Sequence, residues 1–240
     1  MSQIFTYKNT PIQYTSTGKG SVIVLLHGFL ENNTMWKDII PFISTRNRVI
    51  TIDLLGHGES GNVGYVHSME DQANMVKALL NHLTLRKFTF IGHSMGGYVA
   101  LAFAKLFPNS VKGLCLMNST FEGDSDERKL LRSRANKMAK TNYKNMVRMS
   151  FVNLFSENSK SVFKNEIALA LKEALKTPLQ GYMAANEGMK NRENLTSLYK
   201  NASFKKLIIL GQNDTVLGSK SIYSFANKNK IPVILFSEGH

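Results

Sequence analysis

The sequence predicts an α/β fold, a mostly parallel, doubly wound sheet with an all-helical cap inserted into it. Three observations carry this reading. Short apolar runs rich in β-branched residues recur along the chain and are near-continuous rather than alternating, as in strands buried on both faces. Segments of helical period separate them, and repeated strand, helix, strand implies right-handed crossovers and a sheet covered on both sides. The alternation then stops over residues 121–202, which are wholly helix-like, and strand-like sequence resumes at Lys206.

Taken in order, residues 4–7 and 12–14 read as an edge hairpin turning around Asn9-Thr10-Pro11. Strands follow at 22–26, 49–52, 88–91 and 111–117, with helices at 34–43, 68–83 and 97–107 between them. Beyond the helical block come a strand at 207–210, a helix at 219–228 and a last strand at 231–236. The core therefore comprises residues 1–120 and 203–240, and the cap residues 121–202. Thr177-Pro178 and Gly181 read as breaks within the cap. Its apolar residues, including Met138, Tyr143, Met146, Met149, Phe151, Leu154, Phe155, Phe163, Tyr182 and Met183, read mostly as cap core and as the seam with the sheet. Ligand sites favour such seams and the carboxyl ends of parallel strands.

Composition narrows the function classes. A chain of 240 residues, 43% hydrophobic and 20% charged, is globular and long enough for one substantial core. No cationic, apolar, small-residue sequence marks a secretory signal at the start, and no apolar stretch approaches the roughly 20 residues that span a bilayer, so a cytoplasmic location is expected. The single cysteine, Cys115, cannot form an internal disulfide and reads as a small buried hydrophobe. The net charge of +13 raises nucleic acid as a partner. However, the densest basic group, Arg128, Lys129, Arg132, Arg134, Lys137 and Lys140, follows the acids Glu122, Asp124, Asp126 and Glu127. Acids near a helix start with bases further along read as a solvated helix face. The expected partner is a small-molecule substrate, not nucleic acid, and monomer and dimer are both compatible with the sequence.

The chemistry centres on Gly92-His93-Ser94-Met95-Gly96, between a strand-like run and a helix-like stretch. A serine in so sharp a strand-to-helix turn needs very small neighbours two positions away on each side. At neutral pH its hydroxyl is a poor nucleophile without a base and a group to orient that base. Gly211-Gln212-Asn213-Asp214 places an acid beyond one predicted strand, and Ser237-Glu238-Gly239-His240 places a histidine beyond the last.

In these motifs the chain resembles the α/β-hydrolase superfamily, specifically its small capped Ser-Asp-His members. Leu26-His27-Gly28-Phe29 looks like the family's oxyanion loop. Asp53-Leu54-Leu55-Gly56-His57-Gly58-Glu59-Ser60 looks like the turn after its next strand. Residues 92–97 are similar to its nucleophile elbow, and Gly211 to Asp214 with Gly239-His240 resemble its acid and base loops. The resemblance implies Ser94 as nucleophile, His240 as base and Asp214 as its orienting acid, with the backbone NH groups of Phe29 and Met95 as the oxyanion hole. It implies no cofactor. His67 and His82 lack metal-ligand spacing, so no metal is expected. His27 and His57 read as bonding backbone, His93 as packing or lining the pocket, and Trp36 as core. Glu31 and Asp38 lie in the wrong region to orient His240. The chain departs from the resemblance by ending at His240, where relatives continue into a helix. A truncated chain, or a histidine loosely held at a terminus, is the expectation.

The implied function is hydrolysis of a small carboxylic ester, thioester or lactone through an acyl-enzyme. The same triad serves carbon-carbon hydrolases and a menaquinone-pathway synthase that eliminates pyruvate, and the basic balance suits such carboxylated substrates. A ligand receptor or signalling module that keeps the triad without turnover is the reading from another class.

Overall fold

Lys8 and Asn9, both at positive φ (48° and 60°), turn the chain between β1 (Ser2–Tyr7) and β2 (Thr10–Thr17). The hairpin thus turns earlier than the Asn9-Thr10-Pro11 expected, and Pro11 lies in the ladder opposite Thr6. Two central residues at positive φ match the twist of the flanking strands, which selects this two-residue turn. The structure, a computed structural model, describes residues 2–240.

The other strands among the described residues are β3 (Ser21–Leu26), β4 (Asn47–Ile52), β5 (Phe88–His93), β6 (Val111–Met117), β7 (Lys205–Gly211) and β8 (Val233–Phe236). They form one sheet in the order β1-β2-β4-β3-β5-β6-β7-β8, in which β2 runs antiparallel to both its neighbours and every later pairing is parallel. Burial on both faces explains the unbroken apolar run in β3. Val24 and Leu26 join the main core, whereas Leu25 packs with Trp36 and Val49 in a separate cluster.

Helix α2 (Met69–His82) begins where the Ser68 hydroxyl accepts the Asp71 amide at 3.0 Å, with Glu70 and Asp71 in the favourable first turn. Helix α3 (Met95–Leu106) is buried along most of its length and packs on β3, β5 and β6. Residues 34–43 are not one helix. A 3₁₀ turn spans Asn33–Trp36 and α1 only Ile40–Ile43, because Pro41, lacking an NH, fits the first turn of a helix and not its interior. From β3 the chain goes to β4 on one side and then crosses to β5 on the other. That reversal opens a crevice beyond the carboxyl ends of β3 and β5.

Between β6 and β7 lie five helices, α4 (Asp126–Val152), α5 (Glu157–Val162), α6 (Lys164–Ala174), α7 (Leu179–Lys190) and α8 (Thr196–Asn201). Helix α4 bends at Asn142, whose backbone is non-helical. A second apolar cluster forms here from Ala139, Val147, Phe151, Ala174 and Tyr182, and Leu30 of the loop after β3 belongs to it. One expectation fails in this region and another holds for most of its residues. Gly181 does not break a helix but lies inside α7, where a side chain would collide with the Gly56 carbonyl, so it permits close approach of helix and core loop. Of the apolar cap residues, Tyr143, Met146, Phe151, Leu154, Phe155, Tyr182 and Met183 belong to or pack on this cluster, whereas Met138, Met149 and Phe163 are 58%, 71% and 48% exposed. Met138 and Met149 lie off the stripe of Ala139, Val147 and Phe151 along which α4 is buried. Helix α9 (Ser219–Lys228) links β7 to β8. No helix among the described residues is long and apolar enough to cross a membrane.

Candidate active site

Ser94 caps α3 directly after β5, at φ 47° and ψ −114°. Such a backbone costs about 1–3 kcal/mol for a residue with a Cβ and persists only when its surroundings enforce it. Here they do. The Ser94 amide donates to Met117 O at 2.9 Å, and its carbonyl accepts from the Ser119 hydroxyl at 2.8 Å and the Gly97 amide at 3.0 Å. A Cβ on Gly92 would stand 2.5 Å from Gly96 O, and one on Gly96 would strike the Leu26 and His27 carbonyls. The turn closes only with glycine at both positions, which is the sequence argument in atomic form.

Asp214 and His240 come to Ser94 from the ends of β7 and β8. His240 Nδ1 lies 2.7 Å from Asp214 Oδ2, and His240 Nε2 lies 2.8 Å from Ser94 Oγ. The other oxygen of Asp214 accepts the Val216 and Leu217 amides at 2.7 and 2.9 Å. Burial alone would raise this carboxyl. The His240 hydrogen bond and charge, together with those amides, outweigh it and hold Asp214 below the ordinary carboxylate range. An ionised Asp214 accepts the Nδ1 proton and leaves Nε2 free to accept the serine hydroxyl. Of the two expectations for His240, a truncated chain or a loosely held histidine, the contacts bear on the second: the residue is held on both its backbone and its side chain. Its amide donates to Leu154 O at 3.0 Å, and its side chain is 4% exposed. The preceding Glu238 accepts from Ser156 and Ser159, each at 2.6 Å, and from Asn158 at 3.2 Å, tying the histidine loop to the start of α5.

Phe29 NH and Met95 NH make no hydrogen bond among the described residues. Met95 opens α3, so the helix field at that amide favours negative charge. The histidines near the turn after β4 serve the backbone. His27 Nδ1 lies 2.7 Å from Gly28 O while its Nε2 accepts the Leu54 amide, and His57 Nδ1 lies 3.1 Å from Leu55 O. Burial pushes His57 down to about 3, so it is neutral at physiological pH. Trp36 is 1% exposed and is core. No group of three or more His, Cys, Asp or Glu suited to a metal ion occurs among the described residues.

A cavity of about 450 Å³ opens over Ser94 and His240, walled by Phe29, Tyr98, Phe151 and Tyr182. Its charged lining was not foreseen. Arg128 and Arg132, expected on a solvated helix face, border the cavity, and both pair with the fully buried carboxylate of Asp124, which Arg192 also contacts. Burial would raise Asp124, but Arg132 and Arg192 hold it below the ordinary range. The clue in the sequence is spacing. Arg128 and Arg132 are four residues apart on one face of α4, and Asp124 lies four residues before Arg128, just ahead of the helix cap. Of the three guanidinium groups only those of Arg128 and Arg132 line the cavity, and they make this wall cationic. The other missed residue is Glu31, which is indeed not bonded to His240 but lines the cavity and pairs with His93 at 2.8 Å. Sixty-two positions separate that pair, so no local pattern announces it.

With a serine hydroxyl against an imidazole, that imidazole against a carboxylate and two free amides around one cavity, the arrangement could support nucleophilic attack on a carbonyl carbon. A sequence model described as the alpha/beta hydrolase fold matches residues 21–240. Among solved structures, a thermophilic esterase from Thermogutta terrifontis, with malate bound, superposes with a TM-score of 0.91 at 30% identity, covering 100% of this chain and 91% of that one. The dihydrolipoyllysine-residue acetyltransferase component of an acetoin cleaving system from Pseudomonas putida is 30% identical over 205 residues, 82% of this chain and 53% of its own length. A 2-hydroxy-6-oxononadienedioate/2-hydroxy-6-oxononatrienedioate hydrolase from Paraburkholderia phymatum is 33% identical over 120 residues, 48% of this chain and 42% of its own length. The chain spans about half or less of the length of these curated relatives.

Proposed function

The chain belongs to the alpha/beta hydrolase fold family, and from that footing we propose that it is a serine hydrolase cleaving a small carboxylic ester, thioester or lactone through an acyl-enzyme on Ser94. The observation that carries this reading is the continuous chain from Ser94 Oγ through His240 to Asp214, at 2.8 and 2.7 Å, beside two unengaged amides. As Ser94 Oγ bonds to the carbonyl carbon, its proton passes to His240 Nε2, and the oxygen that gains the electron pair is met by Phe29 NH and Met95 NH. The carbon-to-leaving-group bond then breaks and the leaving group takes the proton from His240. Water, deprotonated by His240, repeats the sequence on the acyl-enzyme and frees Ser94. Asp214 holds the tautomer and stabilises the imidazolium throughout.

Turnover of short p-nitrophenyl esters tests this reading. Ser94→Ala is expected to lower kcat about 10³-fold or more with the fold intact. Near wild-type turnover in that variant would reject it.

One observation favours a second reading with the same triad. The cationic wall of Arg128 and Arg132 suits an anionic substrate, as a carbon-carbon hydrolase of dienedioate type or a pyruvate-eliminating synthase would require. Mono-p-nitrophenyl glutarate against p-nitrophenyl valerate probes the wall. A kcat/KM ratio well above one, falling in Arg128→Gln, supports an anionic substrate. Turnover of a vinylogous diketone acid with none of either ester identifies the carbon-carbon hydrolase.

A further inference from the structure

The two amides assigned to the oxyanion hole belong to different segments. Phe29 follows β3 and Met95 follows β5; the two strands pair in register as far as Leu26 and Gly92, three residues short of each amide, which leaves a gap between the two loops. One side chain bridges it. Glu31 Oε2 accepts the Gly28 amide at 2.6 Å and the His93 Nδ1 proton at 2.8 Å, so one carboxylate oxygen holds the residue next to Phe29 and the residue next to Ser94. The space confirms the convergence. A Cβ on Gly28 would lie 2.5 Å from Glu31 Oε2 and 2.8 Å from His93 Nδ1.

We propose that Glu31 is a positioning residue whose carboxylate clamps the oxyanion loop to the nucleophile elbow and so sets the separation of the Phe29 and Met95 amides. This rests on the serine-hydrolase reading above and assigns it a part that the Ser-Asp-His chain does not supply. Oxyanion donors act because they stand in place before charge develops, and small misplacements forfeit much of that advantage. The clamp is also suited electrically to its place. Burial disfavours charge on both partners, yet their mutual attraction prevails, lowering Glu31 and raising His93. Glu31 therefore sits close to the developing oxyanion as half of a neutralised pair and not as a bare negative charge. The ionisable groups facing His93 are Glu31, His27 and Asp214, and the His240 ring lies 5.3 Å away between centroids.

The test compares two ketones of one skeleton by competition or calorimetry, without need of turnover. An aryl trifluoromethyl ketone adds Ser94 Oγ at its carbonyl carbon, with the Ser94 proton taken by His240, and places an oxyanion in the hole. The matching methyl ketone does not add. Wild type is expected to prefer the trifluoromethyl ketone strongly. In Glu31→Ala that preference is expected to fall about tenfold to a hundredfold, kcat on an ester to fall by a similar factor, and KM to stay within about twofold. Glu31→Gln keeps one oxygen that can accept both the Gly28 amide and the Nδ1 proton of a neutral His93, so it is expected to recover part of the loss, more fully at alkaline pH. Gly28→Ala, which crowds the same oxygen from the other side, should reproduce the Glu31→Ala pattern. An undiminished ketone preference in Glu31→Ala, or a loss shared equally between KM and kcat, overturns the clamp. If Glu31→Ala does not fold, Glu31→Gln and Gly28→Ala decide on the same criterion. A wild-type protein that cannot tell the two ketones apart contradicts the hydrolase reading itself.

Discussion

The Asn118 side-chain oxygen accepts the Gly211 amide at 2.8 Å. Its amide nitrogen donates to Gly239 O at 3.2 Å, so one residue beyond β6 links the loop that carries Asp214 to the loop that carries His240. Asn118 itself sits at φ 40°, a conformation asparagine tolerates better than most residues. Asn118→Ala is expected to lower kcat by about tenfold or more, since displacements near 1 Å in such constellations cost about a hundredfold. Steady-state kinetics beside a thermal melt check this, and an unchanged kcat removes Asn118 from the account.

At the elbow, Gly96→Ala places a Cβ against the carbonyls of Leu26 and His27. Backbone cannot move aside as a flexible side chain does, so the expected loss is about 3 kcal/mol or more. Urea denaturation measures it. A variant as stable as wild type means that the turn is looser than described.

Asp124 carries the contacts of three arginines, with its own side chain fully buried. Asp124→Asn leaves Arg132 and Arg192, at 16% and 6% side-chain exposure, without their counter-charge. Removing one partner of a buried charge pair costs about 3–5 kcal/mol. Denaturation in urea should reveal a loss of that order, and a loss below about 1 kcal/mol would mean that solvent reaches the cluster.

The Glu31 and His93 pair gives stability a pH signature. His93 is raised above its ordinary 6.5, so its contribution is full below that value and is lost as pH rises through the higher folded value. Glu31 is lowered below its ordinary 4.5, so its contribution is full above that value and is lost as pH falls through the lower folded one. The stability advantage of wild type over Glu31→Gln should therefore peak between pH 4.5 and 6.5 and shrink on either side. A difference independent of pH between 5 and 9 denies the charged pair.

What could be read from the sequence followed from how local each cause is. The elbow was legible because Gly92 and Gly96 lie two positions either side of Ser94, and the approach of Asp214 and His240 to it because each follows an apolar strand. The sheet itself was legible because burial on both faces writes unbroken apolar runs. Glu31, by contrast, acquires its part only when β3 and β5 lie side by side, and its partner is 62 positions away. Gly181 looked like a helix breaker because its reason for being glycine is the Gly56 backbone on another element. Arg128 and Arg132 looked solvated because a basic helix face reads the same whether it borders water or a cavity.

The most direct measurement of the central claim is mass spectrometry of the protein after reaction with a fluorophosphonate. The account predicts one phosphonyl adduct per chain, on the peptide containing Ser94, absent from Ser94→Ala and strongly slowed in a His240→Ala variant that retains the wild-type melt. No adduct, or an adduct that persists in Ser94→Ala, would contradict it.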